Sequence, residues 1–326
     1  MMKTARQMTV RGNRAGSRRL RRPADGGYVT IMVLTVAALL AALVSATMNV
    51  ARPSLGQALV STDELQANGL LEAGVASVGY VLFAAKKPAD KLEGAVFTFE
   101  TGATRVSVRS ESTRIDLNGA DVKLLEGLYK AFGTGTMSPR TFASRVIDWR
   151  DSNDKPRPEG AEKDEYFALG LQHTPRNAPF QSVGELRYVA GMTDADIAAM
   201  APYVTVYNPD GAIAPKNADR RVLMAVPRMT SAQADVIEEA FANPDASQSE
   251  LRSAIRPFNK FLTLKGSDVY RVNVEARLNT GYAKVAEAVI MEGNNRSPYR
   301  VLYWRALPAP PVVPTTTTPA TSVGAG

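Results

Sequence analysis

The chain has 326 residues and 45% hydrophobic content, enough for one large or two modest cores. It holds no cysteine, which excludes disulfides, thiolate metal sites and a cysteine nucleophile, and only one histidine, His173, which excludes a histidine-cluster metal centre. The net charge of +7 lies wholly in the first 27 residues, which carry eight basic residues and one acid. The remainder is neutral and lacks the net positive charge of a phosphate-binding body.

Residues 28–50 follow without a single charge (YVTIMVLTVAALLAALVSATMNV). About 20 apolar residues suffice to span a bilayer as a helix. The basic leader before the span places the N-terminus in the cytosol and the body across the inner membrane, in the periplasm of a Gram-negative cell. A secretory signal peptide fits less well, because its apolar region is shorter and Val44-Ser45-Ala46 is a poor cleavage site. Ser17-Arg18-Arg19 hints at a twin-arginine signal, but Leu20-Arg21-Arg22-Pro23 does not continue it. The junction Gly26-Gly27-Tyr28 instead resembles a type IV prepilin-like leader, cut after Gly27 so that the helix is kept as an anchor. Glycine suits that position because a β-carbon would crowd the extended backbone a peptidase must hold. The fifth residue from Tyr28 is Met32, where most pilin-like chains carry glutamate.

Past Pro53 a helical spacing runs through Leu55, Leu59, Leu65, Leu70, Val75, Val78 and Leu82. Alternation predicts strands at residues 96–100 and 105–109. Residues 114–118 lead into a helix over 120–132, and the pattern stays mainly helical to about Phe258. Strands return at 269–278, 283–291 and 299–304, the last two separated by a turn at Gly293-Asn294-Asn295. The fold class is therefore α+β: a long N-terminal transmembrane helix and a pilin-like antiparallel sheet interrupted by a large, mainly α-helical insert. The expected division is leader 1–27, membrane helix 28–50, helix continuation and first strands 51–118, helical insert 119–258, returning strands 259–306, and a disordered Pro/Thr-rich tail 307–326.

Two polar segments carry candidate chemistry. In residues 148–166, Asp151, Asp154, Glu162 and Asp164 stand on either side of a proline-stiffened loop, and with loop carbonyls could supply the six to eight oxygens that calcium takes. Interleaved basic residues make a solvated, salt-bridged loop the competing reading. In residues 180–201, Ser182 is a candidate N-cap with Glu185 three residues on, Gly191 a candidate helix terminator, and Thr193 a cap for the next helix. Such a helix–Gly–helix unit is either a packing hairpin or a DNA-backbone-binding hairpin. A membrane-anchored DNA-binding or DNA-uptake protein is accordingly the alternative function, although the neutral body argues against nucleic acid. Scattered carboxylates and His173, in a polar, Pro-flanked stretch, give little basis for a hydrolase.

Together the segments resemble the minor pseudopilin K family of type II secretion, also called general secretion pathway protein K. The resemblance rests on four features in chain order. These are the leader ending at Gly27 without a fifth-position glutamate; Arg114-Ile115-Asp116-Leu117-Asn118 before a leucine-rich helix; Asp148-Trp149-Arg150-Asp151 with Arg157-Pro158, Gly160-Ala161-Glu162 and Tyr166; and Asn177-Ala178-Pro179-Phe180-Gln181-Ser182-Val183-Gly184-Glu185-Leu186-Arg187, continuing to Pro202-Tyr203-Val204-Thr205-Val206. It implies a non-enzymatic subunit at the tip of a pseudopilus, starting or capping assembly with minor pseudopilins I and J to export folded proteins. It implies processing by prepilin peptidase and a calcium ion in the helical domain. Met32 cannot neutralise a neighbour's N-terminal amine in lipid as glutamate does in other pseudopilins, which fits a terminal position.

Overall fold

The computed structural model describes residues 26–294 and 296–308. The leader through residue 25 and the tail from residue 309 lie outside the described residues. The chain divides into two compact units, Met1–Ser61 and Thr62–Gly326. Helix α1 (Gly26–Gly79) contributes to both, and Gly27 and Tyr28 lie in its first turn. In the first unit the described side chains are exposed and, apart from Thr35, apolar, among them Met32 (59% exposed), Leu34 and Leu39. A helix with no polar face has no stable place in water and requires lipid or other apolar helices around it.

In the second unit, residues from Thr62 onward form the centrepiece of a sheet domain. The stretch Thr62–Ala84 is long and apolar enough to cross a membrane, yet half of it is buried within the protein. Its inward stripe Ala67, Leu70, Leu71, Val75 and Val78 recurs at helical spacing and packs on the sheet. Gly74 allows the close approach: a β-carbon there would lie 2.8 Å from Val274 Cγ2 and 3.0 Å from Thr104 Oγ1. A π-helical turn, Tyr80–Ala84, ends the helix.

The sheet is five-stranded and antiparallel, in the order β1 (Val96–Phe99), β2 (Gly102–Ser110), β5 (Val269–Leu278), β6 (Ala283–Asn294), β7 (Ser297–Leu307). Period-2 alternation sends Val106, Val108, Val272, Val274, Ala276, Ala286, Ala288 and Ile290 under the helix. The register between β6 and β7 shifts at Val289/Ile290.

Between β2 and β5 the chain builds a second core. β3 (Ile115–Asp116) leads to α2 (Val122–Phe132), α3 (Pro139–Arg150), α4 (Lys163–Ala168) and α5 (Asp194–Met200). β4 (Val204–Thr205) then pairs parallel with β3, before α6 (Arg220–Met224), α7 (Ser231–Ala242) and α8 (Gln248–Ile255). The sheet interrupted by a helical insert is thus the observed architecture. Helix starts follow capping chemistry. Asp121 caps α2, placing its start two residues after the expected one. Ser138 with Pro139 starts α3, and Thr193, Thr230 and Ser247 close capping boxes on α5, α7 and α8. Leu124, Leu125, Leu128, Tyr129 and Phe132 then form the buried stripe of α2.

A buried polar chain ties this insert to the sheet. Glu111 is fully buried. Arg271 donates to it from Nε to Oε1 (2.6 Å) and from Nη2 to Oε2 (3.2 Å), and the Thr205 hydroxyl of β4 also donates to Oε2. Arg271 Nη1 reaches Glu287 at 2.7 Å, and Glu287 also receives Arg305 at 3.3 Å.

Candidate functional site

The motif blocks converge in the insert. Asp116 is fully buried. Its Oδ1 accepts the amides of Asn118 (2.7 Å) and Gly119 (2.8 Å), and its Oδ2 the amide of Asn208 (2.6 Å). Asn118 pairs with the Phe180 backbone in both directions, at 2.7 and 2.9 Å. Arg150, at the end of α3, donates to the carbonyls of Leu117 and Ala120. Residues 62 positions apart are therefore joined by backbone-directed bonds, and Asp116, Asn118 and Arg150 hold these blocks together.

The acidic loop begins on α3. Asp148 is fully buried near the end of that helix. Its Oδ2 accepts the amides of Arg157 (3.1 Å) and Ala161 (2.9 Å), which folds the intervening loop back onto the helix. Burial pushes the Asp148 carboxyl above its ordinary value, against the pull of these two amides.

Of the four expected ligands, Asp151 is half-buried at the end of α3, where its Oδ1 holds the Asn153 amide (3.2 Å) and side chain (2.7 Å). Asp154 is exposed and accepts Asn177 Nδ2 at 2.6 Å. Asp164 is exposed on α4. Glu162 is only 3% exposed, and neither carboxylate oxygen has a hydrogen-bond partner among the described residues. Asn177 Oδ1 is likewise buried without a donor. Burial raises the Glu162 carboxyl to about 7, reinforced by the charges of Asp148, Asp151, Asp154 and Glu165. Burying a carboxylate without compensation is costly, so this group needs a proton or a cation. The donor set, oxygen atoms only, suits a hard cation. Among the described residues, no three acidic or histidine side chains are already grouped as a formed metal centre.

Sequence reasoning named Asp148 and Asn177 within the motif blocks but did not place them in the site. Helical spacing sets Asp148 opposite the apolar stripe of α3, so it gave no signal; the loop through Arg157 and Ala161 is what buries it. Asn177 has φ = +50°, and nothing in one sequence announces that.

The expected hairpin differs. Residues Val183–Tyr188 form a 3-10 segment instead of an α-helix, and the Ser182 hydroxyl makes no cap. Glu185 instead binds the Gln181 amide (3.1 Å) and Arg176 (3.0 Å). Gly191 does adopt φ = +80°, and Thr193 does cap α5. His173 is braced edge-on between Tyr166 and Tyr188, with Nε2 2.9 Å from the Tyr188 carbonyl.

An apolar helix, a sheet packed on the helical stretch that follows, and a helical domain inserted between strands define a pilin-like α+β protein. Residues 108–210 match the family model described as type II secretion system protein K. The chain is 25% identical over 205 residues to type II secretion system protein K of Klebsiella pneumoniae, covering 55% of this chain and 61% of that one. It is 29% identical over 106 residues to the Pectobacterium carotovorum subsp. carotovorum protein of the same name, about a third of each. The matched regions thus span about three-fifths and one-third of these relatives. A chain of the GspK–GspI–GspJ complex of the enterotoxigenic Escherichia coli type 2 secretion system shares the fold. The TM-score is 0.54 at 13% identity, over 78% of this chain and 99% of that one.

Proposed function

We propose that this chain is a minor pseudopilin at the tip of a type II secretion pseudopilus. There it initiates or caps assembly with minor pseudopilins I and J and supports export of folded proteins. The observation that carries the reading is the pairing of an exposed apolar helical stretch (Met32–Ala42) with a protein-K-type insert in a pilin-like sheet. A subunit built this way anchors by its first helical half in the inner membrane, N-terminus in the cytosol, with its body in the periplasm. Prepilin peptidase would cut between Gly27 and Tyr28. Met32, exposed and thioether-bearing, offers no carboxylate to a neighbouring amine in lipid, consistent with a subunit that has nothing stacked above it. The role is structural, not enzymatic.

A structural calcium ion belongs to the same reading. Glu162, Asp151, Asp154 and Asp164 are the carboxylates that would hold it, with the Asn177 side-chain oxygen as a further donor. A bound cation would supply the positive charge that the buried Glu162 lacks.

Co-purification of the full chain with I and J from secreting cells, together with secretion of a folded exoprotein, tests the role. Loss of secretion on deletion, restored by the wild type but not by Gly27→Leu, is expected. Normal secretion in the deletion strain would refute it.

A further inference from the structure

The two edges of the sheet are unlike. β1 is four residues long, while β7 runs for eleven, from Ser297 to Leu307, and bonds only to β6. Among the described residues no backbone group pairs with its outer side. A long free edge is a template for another extended chain unless something blunts it. Its protections are partial: Pro298 stands at its start, a bulge leaves Leu302 without a partner on β6, and its charges are arginines, which repel a basic strand but not an acidic one. It also exposes apolar side chains. Trp304 pairs with Ala288 and Val301 with Ile290, which puts both on the helix-bearing face, yet they remain 40% and 46% exposed. Tyr80, in the π-helical turn that contacts β7, is 62% exposed.

Charge selects the occupant. β7 carries Arg300 and Arg305 and no acid, with Arg296 just before it. Among the described residues Arg300 reaches only Met291 Sδ (3.3 Å), and Arg305 shares Glu287 with Arg271. Two copies pairing edge to edge would bring four arginines together, and like charges across a strand pair are destabilising. An acidic strand would instead meet two arginines with spare donors.

We infer that the free edge of β7 is a docking site for an acidic, extended segment of another pseudopilus subunit, which adds to the sheet as a sixth strand. The identity of that partner rests on the secretion reading above; the edge chemistry does not. Arg305 is joined through Glu287 and Arg271 to Glu111 and Thr205, so a strand docked here would adjoin the polar chain that holds the insert.

The test uses the full chain in detergent at low salt. Backbone hydrogen exchange is read by mass spectrometry with a capped alternating valine–glutamate peptide or its valine–lysine counterpart. The acidic peptide should slow exchange across residues 299–306 by about tenfold or more, the basic one should not, and Arg300→Glu with Arg305→Glu should reverse the preference. Both arginines are exposed, and exchange in β5 and β6 reports whether the variant keeps its fold. No slowing with the acidic peptide overturns the edge site, as does protection that grows with chain concentration alone, which would mean self-pairing. In secreting cells, a photo-crosslinker at Leu302 should join another pseudopilus subunit within an acidic extended segment; a crosslink to a second copy of the chain would overturn the partner. The peptide measurement needs no secretion partner, so its outcome is separable from failure of the tip-subunit reading.

Discussion

Gly160 and Asp148 occupy space that a single methyl group would make incompatible. A β-carbon on Gly160 would run into Oδ2 of Asp148, the atom that holds the amides of Arg157 and Ala161. Gly160 is therefore required by close approach. Replacing it with alanine should break those bonds and cost about 2 kcal/mol, within the range for a lost charged hydrogen bond. Urea unfolding at pH 7 measures it; an unchanged midpoint would count against the role given to Asp148.

Glu162→Gln separates charge from shape. The folded Glu162 carboxyl lies at about 7, above its ordinary value of 4.5, because burial and neighbouring acids favour the neutral form. Its contribution to stability is therefore full below about pH 4.5 and is lost as pH rises through about 7. In chelator, the wild type should lose stability across this window while Glu162→Gln does so less, making the variant the more stable at pH 8. Calcium should raise the melting temperature of the wild type and leave the variant nearly unmoved. A variant that responds to calcium like the wild type removes Glu162 from the site.

Asp196 shows the opposite sign. Its carboxylate accepts from Thr134, both amide and hydroxyl at 2.8 Å, from Thr136 (2.8 Å), from Thr193 (2.6 Å) and from Tyr129 (3.1 Å). Burial opposes ionisation there, but the hydrogen bonds, led by Thr193, hold the group well below the usual carboxylate range. The stability it contributes is present above about pH 4 and is lost as pH falls. Asp196→Ala should cost about 3 kcal/mol at pH 7, less in acid, as several charge-assisted bonds go together. Unfolding curves at pH 7 and pH 3 read the difference.

Glu111→Ala should loosen the insert from the sheet. Arg271 would keep Glu287, but Thr205 would lose its acceptor and a fully buried pair would be broken, a change costing about 3 kcal/mol. Hydrogen exchange should accelerate in β3 and β4 more than in α7 and α8. Uniform acceleration would mean the polar chain is not a joint.

The strands 269–278 and 283–291 were legible because period-2 alternation is imposed by one buried face, and the start of α5 because Thr193 stands where an orphan amide needs an acceptor. The β3–β4 pairing was less legible, since two residues per strand carry no periodicity. Ser182 misled for a related reason: the spacing to Glu185 satisfied a capping pattern, but Arg176 and the Gln181 amide take that carboxylate instead.

The amino-acid sequence by itself determined the apolar helix, the place of the charge, the absence of thiol chemistry and the strand–insert–strand order, because composition and periodicity are local and additive along the chain. Only the packed fold settles that Asp116, Asn118, Phe180 and Arg150 form one scaffold and that, among the described residues, Glu162 is buried without a donor while Asp164 faces water and β7 keeps a free edge. Each of those depends on which distant residues exclude water from a site, and burial is a property of the packed whole.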